Sequence, residues 1–493
     1  MKQSRRKHAG RTLGIIGGLG SLAGGDLFLK LLKSAPVLAD QGRYHLLFEQ
    51  HPFKDLALPL SREASMTSRK LYVFQVCQGY ADSGADAVLI PCFASHTFID
   101  ELQAELEIPL IDMMTALKHQ VRQVAEPRAR LGVLASDYVR AAGLFERHFA
   151  GDFELVYPSP AHQAALMEAV YGPAGIKAGH LDGIAIERLH QVCQDLADQG
   201  AKLVLPGMTE ISLVVQELQR RGINCVDANQ VYADHATADT SVSAAPPFKL
   251  GIVGGVGPAA TVDFMGKVVK HTPAGRDQDH IKMLVEQNPQ IPDRTANLLH
   301  QQADPTVALY STCKRLECEG AKAIAIPCNT AHAYVERIQE HLQIPIVNML
   351  SETIDYIRER YGADRQVGLL ATSGTLQSGV YHSAAARAGL ELLVPDASEQ
   401  TRVMRAIYGE LGVKAGHVSG QCKEDLLSAA ANLLEQGATV LILGCTELPL
   451  ILPQADDFAI GGVAVALVDP TTVLAQRCVA LATEDVTRAE FSR

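Results

Sequence analysis

Leu13-Gly14-Ile15-Ile16-Gly17-Gly18-Leu19-Gly20 recurs as Leu250-Gly251-Ile252-Val253-Gly254-Gly255-Val256-Gly257. In both places an aliphatic run closes on glycines, the pattern of a buried strand passing into a tight turn. Tyr171-Gly172-Pro173-Ala174-Gly175-Ile176-Lys177-Ala178-Gly179-His180 recurs at the same offset as Tyr408-Gly409-Glu410-Leu411-Gly412-Val413-Lys414-Ala415-Gly416-His417. The chain thus contains itself twice, and its 493 residues, too many for one core, fall into two large halves. The copies differ where it matters for chemistry. Ile90-Pro91-Cys92 matches Ile326-Pro327-Cys328, but Gly207-Met208-Thr209-Glu210 matches Gly444-Cys445-Thr446-Glu447.

Around these anchors, short aliphatic runs alternate with longer helical patterns, as in βαβ units built on parallel sheets. The expected strands lie near 12–17, 44–49, 86–91, 108–111, 130–135, 154–157, 201–206 and 223–226. Their counterparts lie near 249–254, 281–286, 322–327, 344–347, 366–371, 391–394, 438–443 and 464–468. Polar breaks at Glu126-Pro127-Arg128 and Tyr361-Gly362-Ala363-Asp364 divide each half into two lobes. The fold class is α/β: two tandem domains, each of two similar lobes with parallel-rich sheets flanked by helices. The expected order is a basic tail over 1–11, a first domain over 12–235, a small, polar, Pro-ended linker over 236–248, and a second domain over 249–493.

With 47% hydrophobic and 20% charged residues the composition is that of a globular protein. No apolar run approaches the ~20 residues of a membrane helix. A net charge of −11, without basic stretches interleaved with aromatics, argues against nucleic acid and leaves small molecules as the expected ligands. The segment after the basic tail is short and glycine-broken, unlike a signal peptide. Ten scattered cysteines with no CxxC pair fit reduced thiols in a cytoplasmic protein better than disulfides or zinc, so no metal site is expected.

Cys328 and Cys445 each follow an aliphatic strand. The expectation is a thiol at the carboxyl end of a parallel strand, close to a helix start whose dipole favours thiolate. Either alone reads better as a packed core residue, whereas together, each followed by the polar Asn329-Thr330 or Thr446-Glu447, they point to a site. Asn329 and Thr330 read as helix caps or as groups holding a carboxylate. The first half has Phe93 and Ala94 there, and a cap needed only for folding would persist in both copies, which favours the ligand role. Arg294, in Pro292-Asp293-Arg294-Thr295, reads as a surface arginine paired with Asp293 or as a carboxylate-recognising cation; the first-half segment His51-Pro52-Phe53-Lys54-Asp55 has no aligned Asp-Arg. Lys177 and Lys414 occur in both halves and so read as serving folding. His96, His180, His332 and His417 likewise suggest structural hydrogen bonding. Gly254 and Gly255 form a tight turn that opens the backbone to a ligand; the spacing is not that of a dinucleotide fingerprint.

Taken in order, Gly254-Gly255-Val256-Gly257-Pro258, Pro292-Asp293-Arg294-Thr295, Pro327-Cys328-Asn329-Thr330-Ala331-His332, Val413-Lys414-Ala415-Gly416-His417 and Gly444-Cys445-Thr446-Glu447 resemble the aspartate/glutamate racemase superfamily, and its aspartate racemase branch in particular. The resemblance implies racemisation without pyridoxal phosphate or any other cofactor, with Cys328 and Cys445 as acid and base on opposite faces of the substrate α-carbon. It also implies a head-group site built from Gly254, Gly255, Asn329, Thr330 and Thr446, with Arg294 and Lys414 beside the thiols and carboxylates, where they would lower thiol pKa values. On this reading the first half is degenerate: Cys92 and Lys177 remain, while Met208 cannot transfer a proton. It then serves as a fused partner in an intramolecular pseudo-dimer, or else as a regulatory pocket that binds an amino acid. The expected substrate is aspartate, glutamate or both. The alternatives are a related lyase or isomerase acting on small dicarboxylic acids, and a non-catalytic amino-acid-binding protein.

Overall fold

A computed structural model describes residues 10–40, 43–50, 60–61, 65–238 and 247–491. Most of the basic tail, the first-half segment around Lys54 and most of the linker lie outside the described residues. The chain divides into two compact units, Met1–Pro246 and Pro247–Arg493. Each carries two sheets.

In the first unit, β1 (Arg11–Ile16), β2 (Tyr44–Glu49), β3 (Ala87–Leu89) and β4 (Leu110–Ile111) form a parallel sheet in the order β2-β1-β3-β4. β5 (Arg130–Ala135), β6 (Glu154–Val156) and β7 (Leu203–Gly207) form another in the order β6-β5-β7. The second unit repeats this with β8 (Lys249–Gly254), β9 (Lys282–Gln287) and β10 (Ala323–Ala325) in the order β10-β8-β9. Its other sheet comprises β11 (Val367–Ala371), β12 (Leu392–Leu393), β13 (Val440–Gly444), β14 (Ala455–Ile460) and β15 (Val463–Val468) in the order β12-β11-β13-β15-β14. The lobe breaks fall between the sheets, and the chain turns there through left-handed backbone, at Arg128 (φ 62°) and Gly362 (φ 98°).

The central strands are apolar throughout because helices cover both faces. Leu441, Ile442 and Leu443 have no exposed surface, and each such side chain contributes about 1.5–3 kcal/mol by leaving water. A lysine ties the two ends of each unit together. Lys30 bridges Asp26 and Asp227 at 2.7 and 2.8 Å, and Lys267 bridges Asp263 and Asp469, the latter at 2.6 Å. Asp227 caps the helix Ala228–Thr237, while Asp469 accepts from Thr471 N–H at the start of Pro470–Phe491, so the last helix of each unit returns to its first lobe.

Three elements differ from expectation. The strands expected near 223–226 and 344–347 are single bridges, Val204 to Cys225 and Ile324 to Ile346. Asp227 and Asn348, which follow at once, already cap the next helix and leave no room for a longer ladder. β14 was not anticipated. It pairs antiparallel with β15 through Gly461-Gly462, both at positive φ (58° and 86°), a two-residue hairpin turn that glycines favour.

Candidate active site

β10 and β13 each end at the lip of the second unit, and each delivers a cysteine there. Ile326-Pro327 carries the chain from β10 to Cys328, which packs at the margin of the first-lobe core with Val253, Val256 and Ile291. Cys445 follows β13 directly and packs in the second-lobe core with Leu448 and Leu452. The two thiols, rooted in different lobes, line one small cavity. Arg294, Thr295, Asn329, Thr330, Thr372, Tyr408, Lys414, Thr446 and Glu447 line it with them.

The two thiols have opposite electrostatic neighbours. Arg294 opens the helix Arg294–His300, capped by Asp293, and is 8% exposed. Its Nη1 donates to the carbonyls of Ile291 and Pro292 at 3.3 and 3.1 Å, and its buried Nε has no protein partner. Burial works to lower its pKa, but the charge of the Cys328 sulfur and the Asp293 carboxylate outweigh this and hold it above the ordinary arginine value. Arg294 is therefore a buried cation beside Cys328, not a surface residue. Cys445, by contrast, donates its S–H to Glu447 Oε2 at 3.0 Å. Burial foremost, then the Glu447 carboxylate, push its pKa well above 9, against the opposing pull of Lys414.

This corrects the expectation that both thiols favour thiolate. Neither cysteine opens a long helix: Cys328 leads into a 3₁₀ turn, Thr330–Ala333, before the short helix Val335–Gln339, and Cys445 leads only to Leu448–Leu450. The helix dipole is correspondingly weak. Lys414 is committed to Glu447 Oε1 at 2.6 Å and lies 5.4 Å from the Tyr408 ring centre, so its charge is largely answered before it reaches Cys445.

Asn329 does not cap a helix with its side chain. Its Oδ1 accepts from Tyr381 O–H at 2.6 Å, which orients the amide, and the buried Nδ2 is left without a protein partner. Thr330 joins Thr372, Thr375 and Thr295 in a chain of buried hydroxyls separated by 2.8–3.3 Å. His332 is structural: one ring nitrogen meets the Cys328 carbonyl at 2.9 Å, and the other accepts from Met349 N–H at 3.2 Å. His96 does the same with Cys92 and Met113.

The glycine turn contributes Val256 to the cavity lining, whereas Gly254 and Gly255, expected to bind substrate, are not among its lining residues. Gly255 has φ 85°, and a Cβ there would lie 2.3 Å from the Asn288 backbone; its N–H reaches Thr261 Oγ1 at 3.3 Å. Gly257 (φ 124°) abuts Glu447, where a Cβ would lie 2.7 Å from Oε1. Sequence reasoning passed over Thr295, Thr372, Tyr408 and Glu447. For Glu447 a signal existed: Glu210 repeats it, and both are 5% exposed.

The first unit has a cavity in the same place, lined by Cys92, Phe93, Ala94, Ser136, Tyr171, Lys177, Met208, Thr209 and Glu210. Lys177 pairs with Glu210 at 2.9 Å and lies 5.4 Å from the Tyr171 ring centre, as Lys414 does with Glu447 and Tyr408. Met208 occupies the place of Cys445. Among the described residues there is no group of three or more His, Cys, Asp or Glu side chains able to hold a metal ion, and no helix long and apolar enough to cross a membrane.

The Asp/Glu/Hydantoin racemase family matches residues 16–236 and again 253–478. The chain is 30% identical over 211 residues to the broad specificity amino-acid racemase RacX of Bacillus subtilis, spanning 41% of this chain and 87% of that one. It is 32% identical over 151 residues to the glutamate racemase of Koribacter versatilis, spanning 30% of this chain and 50% of that one. Among solved structures it resembles the Picrophilus torridus aspartate racemase, with 28% identity, TM-score 0.41, and coverage of 48% of this chain and 94% of that one. The chain belongs to the Asp/Glu/hydantoin racemase family and carries its domain twice.

Proposed function

We propose that the second unit is a cofactor-independent racemase of amino acids with acidic side chains, aspartate or glutamate, and that the first unit is its non-catalytic companion. The observation that carries this reading is that Cys328 and Cys445 line one small cavity from separate lobes. Inversion needs a proton removed from one face of the α-carbon and another delivered to the opposite face, and a single group tends to return the proton it took.

The opposite neighbours of the thiols support different roles for the two. Cys328, beside the Arg294 guanidinium, acts as the base that takes the α-proton. Cys445, held protonated by burial and Glu447, delivers its proton to the other face. The turnover leaves Cys328 protonated and Cys445 as thiolate, and the reverse reaction restores the first state. Lys414 offsets the second negative charge that Cys445 acquires next to Glu447. The substrate carboxylate meets the unpartnered Asn329 Nδ2 and the threonine hydroxyls, donors fixed in place before the carbanion forms, where charge stabilisation is most effective. Arg294 Nε supplies a further cation for an acidic side chain.

The test is incubation of the full chain with L-aspartate or L-glutamate in deuterated water without pyridoxal phosphate. Deuterium at the α-carbon of the D-enantiomer supports the proposal. A new product points instead to a lyase or isomerase, and thermal stabilisation without exchange points to a binding protein.

A further inference from the structure

The first-unit cavity has not simply lost its chemistry; it has been rebuilt. The aligned counterpart of Arg294 is missing, yet a guanidinium stands beside the thiol all the same. Arg69, on the helix Thr67–Asp82, donates from Nη1 to Cys92 Sγ at 3.2 Å. That helix corresponds to Thr306–Cys318 of the second unit, which supplies no cation to its site. The same charge has been delivered to the same sulfur from a different element.

Arg69 is 4% exposed, and no described carboxylate pairs with it. Its buried Nε has no hydrogen-bond partner. A buried guanidinium on a cavity wall with an unpartnered N–H is costly unless an anion completes it. Beside the retained Tyr171, Lys177 and Glu210, several wall positions have turned apolar. Phe93 stands for Asn329, Ala94 for Thr330, Val139 for Thr375 and Met208 for Cys445, and Leu19 and Leu60 close the lining. Ser136 and Thr209 keep hydroxyls where Thr372 and Thr446 stand.

We propose that the first unit binds a small carboxylate bearing an apolar side chain, its carboxylate on Arg69 and its hydrocarbon against Phe93, Val139 and Met208. Lys177 is already held by Glu210, so Arg69 alone at one end and hydrocarbon at the other select a monoacid over a diacid. The ligand class covers two sources, apolar amino acids and the corresponding 2-oxo acids.

The readout is carbamidomethylation of Cys92 in the full chain, followed by peptide mass spectrometry, which does not depend on whether the second unit racemises anything. The probes are 4-methylpentanoate, leucine, 4-methyl-2-oxopentanoate, aspartate and the neutral 4-methylpentanamide. Saturating 4-methylpentanoate is expected to slow Cys92 labelling at least ten-fold while aspartate and the amide leave it unchanged. Stronger protection by leucine or by the oxo acid identifies the source, and either supports the proposal. Arg69→Met is expected to abolish protection. Because removing a buried arginine can unfold the unit, Phe93→Asn with Ala94→Thr provides the second variant, expected to shift protection from 4-methylpentanoate toward aspartate. Equal protection by acid and amide, or none by any carboxylate, overturns the proposal.

Discussion

The two units share a scaffold and a Lys-Tyr-Glu constellation, and part company at the groups that would touch a substrate. Lys414-Tyr408-Glu447 and Lys177-Tyr171-Glu210 superpose in role, and so do His332 and His96. Cys445, Asn329 and Thr330 have become Met208, Phe93 and Ala94. What only one copy retains is set apart from the needs of the fold, whereas shared residues such as Cys328 and Cys92 can serve fold and proposed chemistry alike. Glu447 falls on both sides of this division, because its carboxylate balances a lysine and also accepts the Cys445 proton donor.

The hardest test of that division removes a thiol. Cys328→Ser or Cys445→Ser is expected to lower racemisation by about 10²–10⁴-fold, the usual worth of a positioned acid or base, measured by circular dichroism of the amino acid at constant protein fold. Rebuilding the other unit sharpens the same point. In a chain lacking both second-unit thiols, Met208→Cys alone is expected to give no racemisation, and Met208→Cys with Phe93→Asn and Ala94→Thr to give measurable deuterium exchange with inversion. Recovery from Met208→Cys alone would show that the polar grip is dispensable.

Glu447→Gln and Glu210→Gln form a matched pair. Each strands a lysine, and the expected loss of stability is about 1–3 kcal/mol, below the ~3–5 of a fully buried pair because the Lys414 and Lys177 side chains are 28% and 22% exposed. Calorimetry would measure it. Glu447→Gln also acts on Cys445. That thiol's pKa is raised well above 9, so its contribution to stability is full below about pH 9 and is lost only as the pH climbs through the folded-state value. Native Cys445 should therefore resist alkylation at pH 9, where the unfolded chain reacts. Glu447→Gln removes one of the two raising influences and should bring the reaction to lower pH. Alkylation of native Cys445 near neutrality would overturn its assignment as the resting acid.

Much of this was visible in the sequence, for identifiable reasons. The repeat located both glycine turns and both strand ends, and the mismatch at Met208 singled out Cys445. The strands buried on both faces are continuous aliphatic runs and were placed within a few residues. β14 was not, because Ala455–Ile460 carries Asp456 and Asp457 on a half-exposed edge and lacks such a run, although Gly461-Gly462 marked the turn. The threonine chain was invisible for a different reason. Thr295, Thr330 and the Thr372/Thr375 pair come from three separate segments, and a lone threonine has no periodicity to betray it; the packing of two lobes brings these segments' hydroxyls within 3.3 Å. Arg69 escaped because alignment searches for a cation at the same sequence position, whereas electrostatics requires only the same place in space.

The smallest expected effect concerns the histidines, where the units should not differ at all. His332 and His96 are fully buried, and burial lowers their pKa values, so each is neutral near pH 7. A neutral ring has one donor and one acceptor, and both are used: Nδ1–H toward the carbonyl of the cysteine, Nε2 accepting from the N–H of Met349 or Met113. Replacing either ring by Phe strands a carbonyl and an amide in the interior, at about 1–3 kcal/mol for each unsatisfied group. The loss should be equal in the two units, read as local hydrogen-exchange protection at Met349 and Met113. Because His332 holds the carbonyl of Cys328 and leaves the sulfur free, His332→Phe should reduce racemisation only through displacement of that thiol, by less than either cysteine substitution. A loss as deep as that of Cys328→Ser would place the imidazole in the proton path and move it from the shared scaffold to the chemistry of one unit.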